Sequence, residues 1–162
     1  MIVPLALLLT ISGPFESRVV AATGYAAGEA VAVQLERIPG HDLDGHPLLL
    51  QPEAAVAFRD LLEFAAKNGH YLAVNYAFRT QPQQKRLWRR STALAARPGY
   101  SNHQLGLAID ITGTRVWWRE KWWKTELYGF LRREAGRFGF VQPHVEEPWH
   151  WEFQTESCPT ML

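Results

Sequence analysis

Residues 101–110, Ser-Asn-His-Gln-Leu-Gly-Leu-Ala-Ile-Asp, set an imidazole and a carboxylate seven positions apart with a glycine between them. On a regular strand His103 and Asp110 would point to opposite faces, because strand side chains alternate. They can meet only if the backbone turns, and Gly106 permits that turn at little steric cost. The second half of the stretch continues into 105–112 (LGLAIDIT), whose apolar pattern predicts a strand. An imidazole and a carboxylate suit a borderline divalent ion such as zinc. The same two residues equally suit a loop histidine and an aspartate paired with an arginine.

Two further stretches carry chemistry. In Glu147-Pro148-Trp149-His150-Trp151-Glu152-Phe153, a closing strand over 149–153 would put Trp149, Trp151 and Phe153 on one face, with His150 and Glu152 on the other. Pro148 argues against a helix here. It thereby removes a helical zinc-protease motif built on His144, Glu147 and His150, since that motif needs histidines at i and i+4. Glu147 instead sits on the bend before the strand, within reach of a ligand held by His150. Upstream, a strand predicted over 71–78 (YLAVNYAF) runs into Arg79 and Thr80. Thr80 and Gln83 have capping-box spacing, which predicts a short helix through Trp88. Arg79 at this junction can aim a planar cation at an anion, or pair with a surface carboxylate.

The rest of the chain alternates between strand and helix signals. Residues 31–38 read as a strand ended by Pro39–Gly40, and 41–50 as a turn-rich connection. A helix starts at Pro52 and carries Ala55, Phe58, Leu62 and Ala65 on one face, stopping at Asn68–Gly69. Residues 89–102 read as a loop. A second helix spans Thr125 to Phe138, with Leu127, Leu131 and Phe138 inward and Gly139 as its stop. The pattern predicts an α+β fold with helices flanking a mainly antiparallel sheet. The Trp/Arg/Lys cluster at 115–124 is expected to place half of Trp117, Trp118, Trp122 and Trp123 in the core and half over a lid. His144 reads as a surface loop residue, and His41, His46 and His70 as solvated turn residues.

Composition narrows the chemistry. Seventeen Lys+Arg against 16 Asp+Glu leave a net charge of +1 in 162 residues, which gives no general field for nucleic acid. The length suits one domain. The one cysteine, Cys158, cannot form an intrachain disulfide, so any zinc site must be built from the six histidines and the carboxylates. Met1 to Ile11 is apolar but too short to span a bilayer, and no basic residue precedes it; it reads as an export-signal remnant or a strand. The chain divides into an N-terminal segment (1–25), one domain (26–155) and a short tail (156–162).

Taken together, Phe78-Arg79-Thr80 with Gln84, SxHxxGxAxD at Ser101–Asp110 and EPWHW at Glu147–Trp151 resemble the zinc D-alanyl-D-alanine carboxypeptidases of the VanY type. These belong to the wider M15 peptidase group with the Hedgehog/D-Ala-D-Ala peptidase fold. The resemblance covers roughly residues 50–153, and the order and spacing of the three motifs are more specific than any one of them. It implies one zinc per chain held by His103, Asp110 and His150, with Glu147 as the catalytic base. It also implies that Arg79 contacts substrate and the developing oxyanion, with Ser101 and Gln84 binding substrate. Phe78, Asn102 and Leu105 stand where family members often have Tyr, Glu and Thr; none is a ligand or the base. The implied partners are peptidoglycan stem peptides, with no nucleic acid and no stable membrane insertion, for a monomer in the cell envelope or secreted. A peptidoglycan endopeptidase or endolysin with the same zinc site, a non-catalytic cell-wall binding module, and a zinc-free domain with core histidines are the rival readings.

Overall fold

Alternation in 31–38 becomes part of a longer strand than the sequence predicts. The computed structural model describes residues 19–92, 95–118 and 121–154, with the side chains of 115–124 excluded. The apolar start of the chain, the tail and the tryptophan side chains of the 115–124 cluster lie outside the described residues. Along the chain run β1 (Val19–Ala26), β2 (Glu29–His41), β3 (Pro47–Leu50), α1 (Pro52–Lys67), β4 (Val74–Tyr76) and α2 (Gln81–Arg90). A 3-10 turn at Asn102–Leu105 and β5 (Ala108–Ile111) follow, then β6 (Arg115–Trp118) and β7 (Lys121–Lys124). The chain continues with α3 (Glu126–Glu134), a 3-10 turn at Ala135–Phe138, β8 (Phe140–Val141) and β9 (His150–Phe153).

The first sheet is antiparallel in the order β1-β2-β3. β1 pairs along its whole length with β2, from Val19 opposite Glu36 to Ala26 opposite Glu29, so it straddles the boundary expected at residue 26. The connection expected over 41–50 shrinks to the residues between β2 and β3. The Asp42 carboxylate accepts the backbone N–H groups of Asp44 and His46 at 2.9 and 2.8 Å, closing a tight turn that leaves Pro47–Leu50 free to pair. α1 packs on this sheet. It buries Ala54, Ala55, Phe58, Leu61 and Ala65, spaced by one, three, three and four positions; Leu61 rather than Leu62 takes the central place. An ion pair of 2.7 Å from Arg59 to the buried Glu36 ties the helix to β2.

The second sheet, β4-β5-β9-β8, is antiparallel throughout and carries the motif residues. The strand expected over 71–78 contracts to Val74–Tyr76, with Tyr71 exposed. Register slips between Val74 and Tyr76, and beyond them the chain crosses to the first sheet, where the Phe78 N–H donates to Leu49 O at 2.9 Å. α2 begins where the capping box predicts and extends two residues beyond Trp88; the Thr80 N–H and hydroxyl both donate to Gln83 Oε1 at 2.8 Å. α3 stops at Glu134 and yields to 3-10 geometry before Gly139 (φ 76°). It buries Tyr128, Phe130 and Leu131, while Leu127 and Phe138 are only partly covered. His70 is half-buried, its ring centroid 4.3 Å from that of Phe130, and so is not a solvated turn residue. β6 and β7 pair antiparallel, from Arg115 opposite Lys124 to Trp118 opposite Lys121.

Of the strand expected over 105–112, only Ala108–Ile111 is in the ladder. Residues 102–105 coil into the 3-10 turn, and Gly106 ends it in the left-handed region at φ 72°. This is the turn that the His103–Asp110 spacing requires. A Cβ at Gly106 would come within 2.5 Å of Leu35 Cδ2 and 3.1 Å of the Gln51 backbone N. Gly106→Ala therefore combines backbone strain with overpacking, at a cost of about 2–4 kcal/mol. Urea unfolding should show the fall in midpoint, and an unchanged midpoint would contradict it.

Candidate metal centre

β5 and β9 pair so that Asp110 lies opposite His150, and the Asn102–Leu105 turn swings His103 over the same end of the ladder. Three donor atoms meet there. His103 Nε2 lies 3.2 Å from Asp110 Oδ1 and 3.2 Å from His150 Nδ1, and His150 Nδ1 lies 3.1 Å from Asp110 Oδ1. All three residues are buried. Tetrahedral zinc with ligand bonds of about 2.0–2.1 Å has ligand–ligand edges of roughly 3.3–3.4 Å. The observed triangle is close to one face of that tetrahedron, and two imidazoles with a carboxylate are the donor chemistry zinc takes, so the residues fit the ion.

Each ligand is held from behind. His103 Nδ1 lies 2.6 Å from Ala77 O, which accepts its proton and leaves Nε2 with the lone pair facing the other ligands. His150 is oriented the opposite way, with Nε2 3.0 Å from Glu152 Oε1 and Nδ1 turned into the triangle. Arg79 donates through Nη2 to Asp110 Oδ2 at 3.2 Å and through Nη1 to Gln84 Oε1 at 2.8 Å. Gln84 is fully buried, and its Nε2 donates to Ala96 O at 2.7 Å. Both polar ends of Gln84 thus engage protein atoms, one of them Arg79, while the residue also lines the cleft of the three ligands. Arg79, Ser101, Glu147, His144 and Trp149 line the same cleft as the three ligands. Glu147 sits one turn before His150, whose N–H donates to Glu147 O at 3.0 Å.

The electrostatics follow from burial and pairing. Burial alone would raise the Asp110 carboxyl, but His103 and His150 outweigh it and hold it well below the usual carboxylate range. Burial pushes the His103 imidazole down, against the pull of Asp110. Burial also opposes charge on His150, yet its bonds to Asp110 and Glu152 prevail and raise it to about 9. For Arg79, burial lowers the value while Asp110 opposes the change; a guanidinium remains charged regardless.

The structure brings His103, Asp110, His150, Glu147, Arg79, Ser101 and Gln84 to one cleft. Two supports have no clear sequence signal. The Ala77 carbonyl is backbone and carries no residue-type signature, and Asn102, which bonds Glu152, reads as a loop residue. Glu152 was legible as a neighbour of His150 on the strand face. Supports of this kind typically change metal affinity 10–100-fold. Glu152→Gln should therefore weaken Zn²⁺ binding by about that factor, read by competition with a chromophoric chelator. Unchanged affinity would show that the His150–Glu152 bond does not serve the metal.

Comparison with known proteins agrees with this geometry. The family model for VanY, D-alanyl-D-alanine carboxypeptidase, matches residues 47–156. A D-alanyl-D-alanine carboxypeptidase of Enterococcus faecium is 29% identical over 127 residues, covering 71% of this chain and 41% of that protein. The chain spans about half the length, or less, of the curated relatives it matches. Among solved structures, the VanY D,D-pentapeptidase of a VanB-type resistance cassette in complex with Zn(II) superposes with a TM-score of 0.60 at 25% identity, covering 75% of this chain and 78% of that one. VanYB in complex with D-alanine-D-alanine gives 0.59 at 25% identity, covering 75% and 77%. The matched segment contains the ligand triangle, Arg79 and Glu147, and the chain belongs to the VanY D-alanyl-D-alanine carboxypeptidase family.

Proposed function

We propose that this protein is a zinc-dependent D,D-carboxypeptidase, which hydrolyses the peptide bond next to D-alanine in bacterial cell-wall peptides. The observation that carries the reading is the buried triangle of His103 Nε2, Asp110 Oδ1 and His150 Nδ1, open to a cleft that Glu147 and Arg79 also line. These three residues would hold one zinc per chain. When bound, zinc supplies a Lewis acid and lowers the pKa of its water toward about 7. Three protein ligands rather than four are the mark of a catalytic site.

Glu147 is the general base. It takes a proton from the attacking water and later delivers it to the amine that leaves, a role worth about 10²–10⁴-fold in rate. Its carboxylate acts electrostatically on the Arg79 guanidinium, which lines the same cleft. Arg79 has five N–H donors and directs two of its nitrogens to Gln84 and Asp110. Its remaining donors, with the charge fixed by those bonds, stabilise the carbonyl oxygen as negative charge develops on it. Ser101, buried at the edge of the cleft, helps hold the peptide. The substrate places the action in the cell envelope or outside the cell; no helix among the described residues is long and apolar enough to cross a membrane.

Incubation with a D-alanyl-D-alanine pentapeptide should release free D-alanine, and a chelator should abolish the release until Zn²⁺ is restored. Cleavage of cross-linked muropeptides without release of D-alanine from the pentapeptide would replace the carboxypeptidase with an endopeptidase. Glu147→Gln should keep its zinc, by metal analysis, and lose about 10²–10⁴-fold in kcat. A zinc-replete variant with full activity would remove Glu147 from the base role.

A further inference from the structure

Arg79, which lines the cleft of the metal centre, also lines a second cleft of about 190 Å³. One wall is a single face of α2: Gln83, Arg86, Leu87 and Arg90 follow the i, i+3, i+4, i+7 spacing of one helical stripe. Tyr76, Phe78 and Arg79 also line it, and Asp44, from the turn between β2 and β3, is its acid. Tyr76, Arg79 and Leu87 also line an adjoining depression that reaches Asp110 and Trp149.

Arg86, Arg90 and Asp44 carry charges that are not paired among the described residues. α2 (QPQQKRLWRR) contains no carboxylate. Arg79 is buried and turned toward Gln84 and Asp110, so Arg86 and Arg90 are the cleft's available cations. Two arginines, one acid and aromatic rings in one cleft complement a group that carries a carboxylate and an ammonium together on a short apolar stem.

We propose that this cleft is a subsite for a zwitterionic α-amino-acid head group on a substrate side chain, as a stem peptide carries when its third residue is a diamino diacid. Arg86 and Arg90 take the carboxylate, Asp44 takes the ammonium, and Tyr76 and Phe78 contact the stem between backbone and head group. The proposal rests on the carboxypeptidase reading above and adds a preference among its peptides. A lysine at the same position would offer the ammonium alone.

The test is calorimetric binding to the zinc-loaded Glu147→Gln protein, which separates recognition from turnover. Three pentapeptides serve as probes, with meso-diaminopimelate, side-chain-amidated diaminopimelate or lysine at the third position. The diaminopimelate peptide should bind roughly 5–10-fold tighter than the other two, the size expected of two exposed ion pairs. Arg86→Ala/Arg90→Ala should erase that margin and leave the lysine and amidated peptides within about twofold. Asp44→Asn should weaken all three, since each keeps the ammonium. Equal weakening of all three by the arginine variant, or no weakening, would overturn the subsite. So would tighter binding in Asp44→Asn, because the cleft would then hold a lone carboxylate such as the chain terminus. Binding and wild-type turnover without discrimination would sink the subsite alone. Failure to bind any D-alanyl peptide would sink the carboxypeptidase reading along with it.

Discussion

A carboxylate taken out of water must find compensating charge or hydrogen bonds, and Asp110 is buried at the meeting point of the second sheet and the His103 turn. Its Oδ1 faces both His103 and His150, and its Oδ2 accepts from Arg79. These partners come from three separate parts of the chain. The Asn102–Leu105 turn brings one, β9 brings the second, and the entry to α2 brings the third. Satisfying this single buried charge therefore constrains where a turn, a strand and a helix must sit. Breaking one partner away would leave part of a buried charge uncompensated, which costs more than the pair contributes.

The same cluster explains the behaviour of its members. His150 rises to about 9 because Asp110 and Glu152 press on it from two sides, overcoming its burial. A proton there supplies positive charge among carboxylates. A divalent ion would supply that charge in its place, and metal binding then displaces the proton. Arg79 differs from the imidazoles in having no lone pair to offer, so it can only balance charge and donate hydrogen bonds. Gln84 fixes its plane, and the Ala96 carbonyl fixes Gln84. Rigid support of this kind holds a constellation near its working geometry.

Support reaches beyond the segment shared with the family. The family match begins at residue 47, so β1 and β2 lie outside it. Yet their hairpin backs the ligand turn: the Gly28 N–H donates to Gly99 O at 3.0 Å, and a Cβ at Gly24 would lie 2.7 Å from Gln104 O. Gln104, fully buried directly after His103, accepts from the Gly99 N–H and donates to Gln81 Oε1, both at 2.6 Å. It joins the ligand turn to the loop before it and to the first turn of α2. Nothing in its own residue type distinguishes it from the exposed glutamines of ordinary loops.

Local chemistry was legible in the sequence because local rules govern it. The Thr80–Gln83 cap, the start of α1 at Pro52, the left-handed turn at Gly106 and the shared strand face of His150 and Glu152 each follow from spacing over a few residues. So did the donor types, since a lone cysteine leaves only histidine and carboxylate for a zinc site. Tertiary structure decided the rest. It cut the 71–78 strand to three residues by drawing Phe78 into a bond with Leu49, and it made β3 out of an expected connection. It set His103 against the Ala77 carbonyl and turned both ends of Gln84 inward. The physical reason is that backbone carbonyls look alike in any sequence. Which one a side chain meets depends on how segments 12 or 26 positions apart pack, and no local pattern encodes that packing.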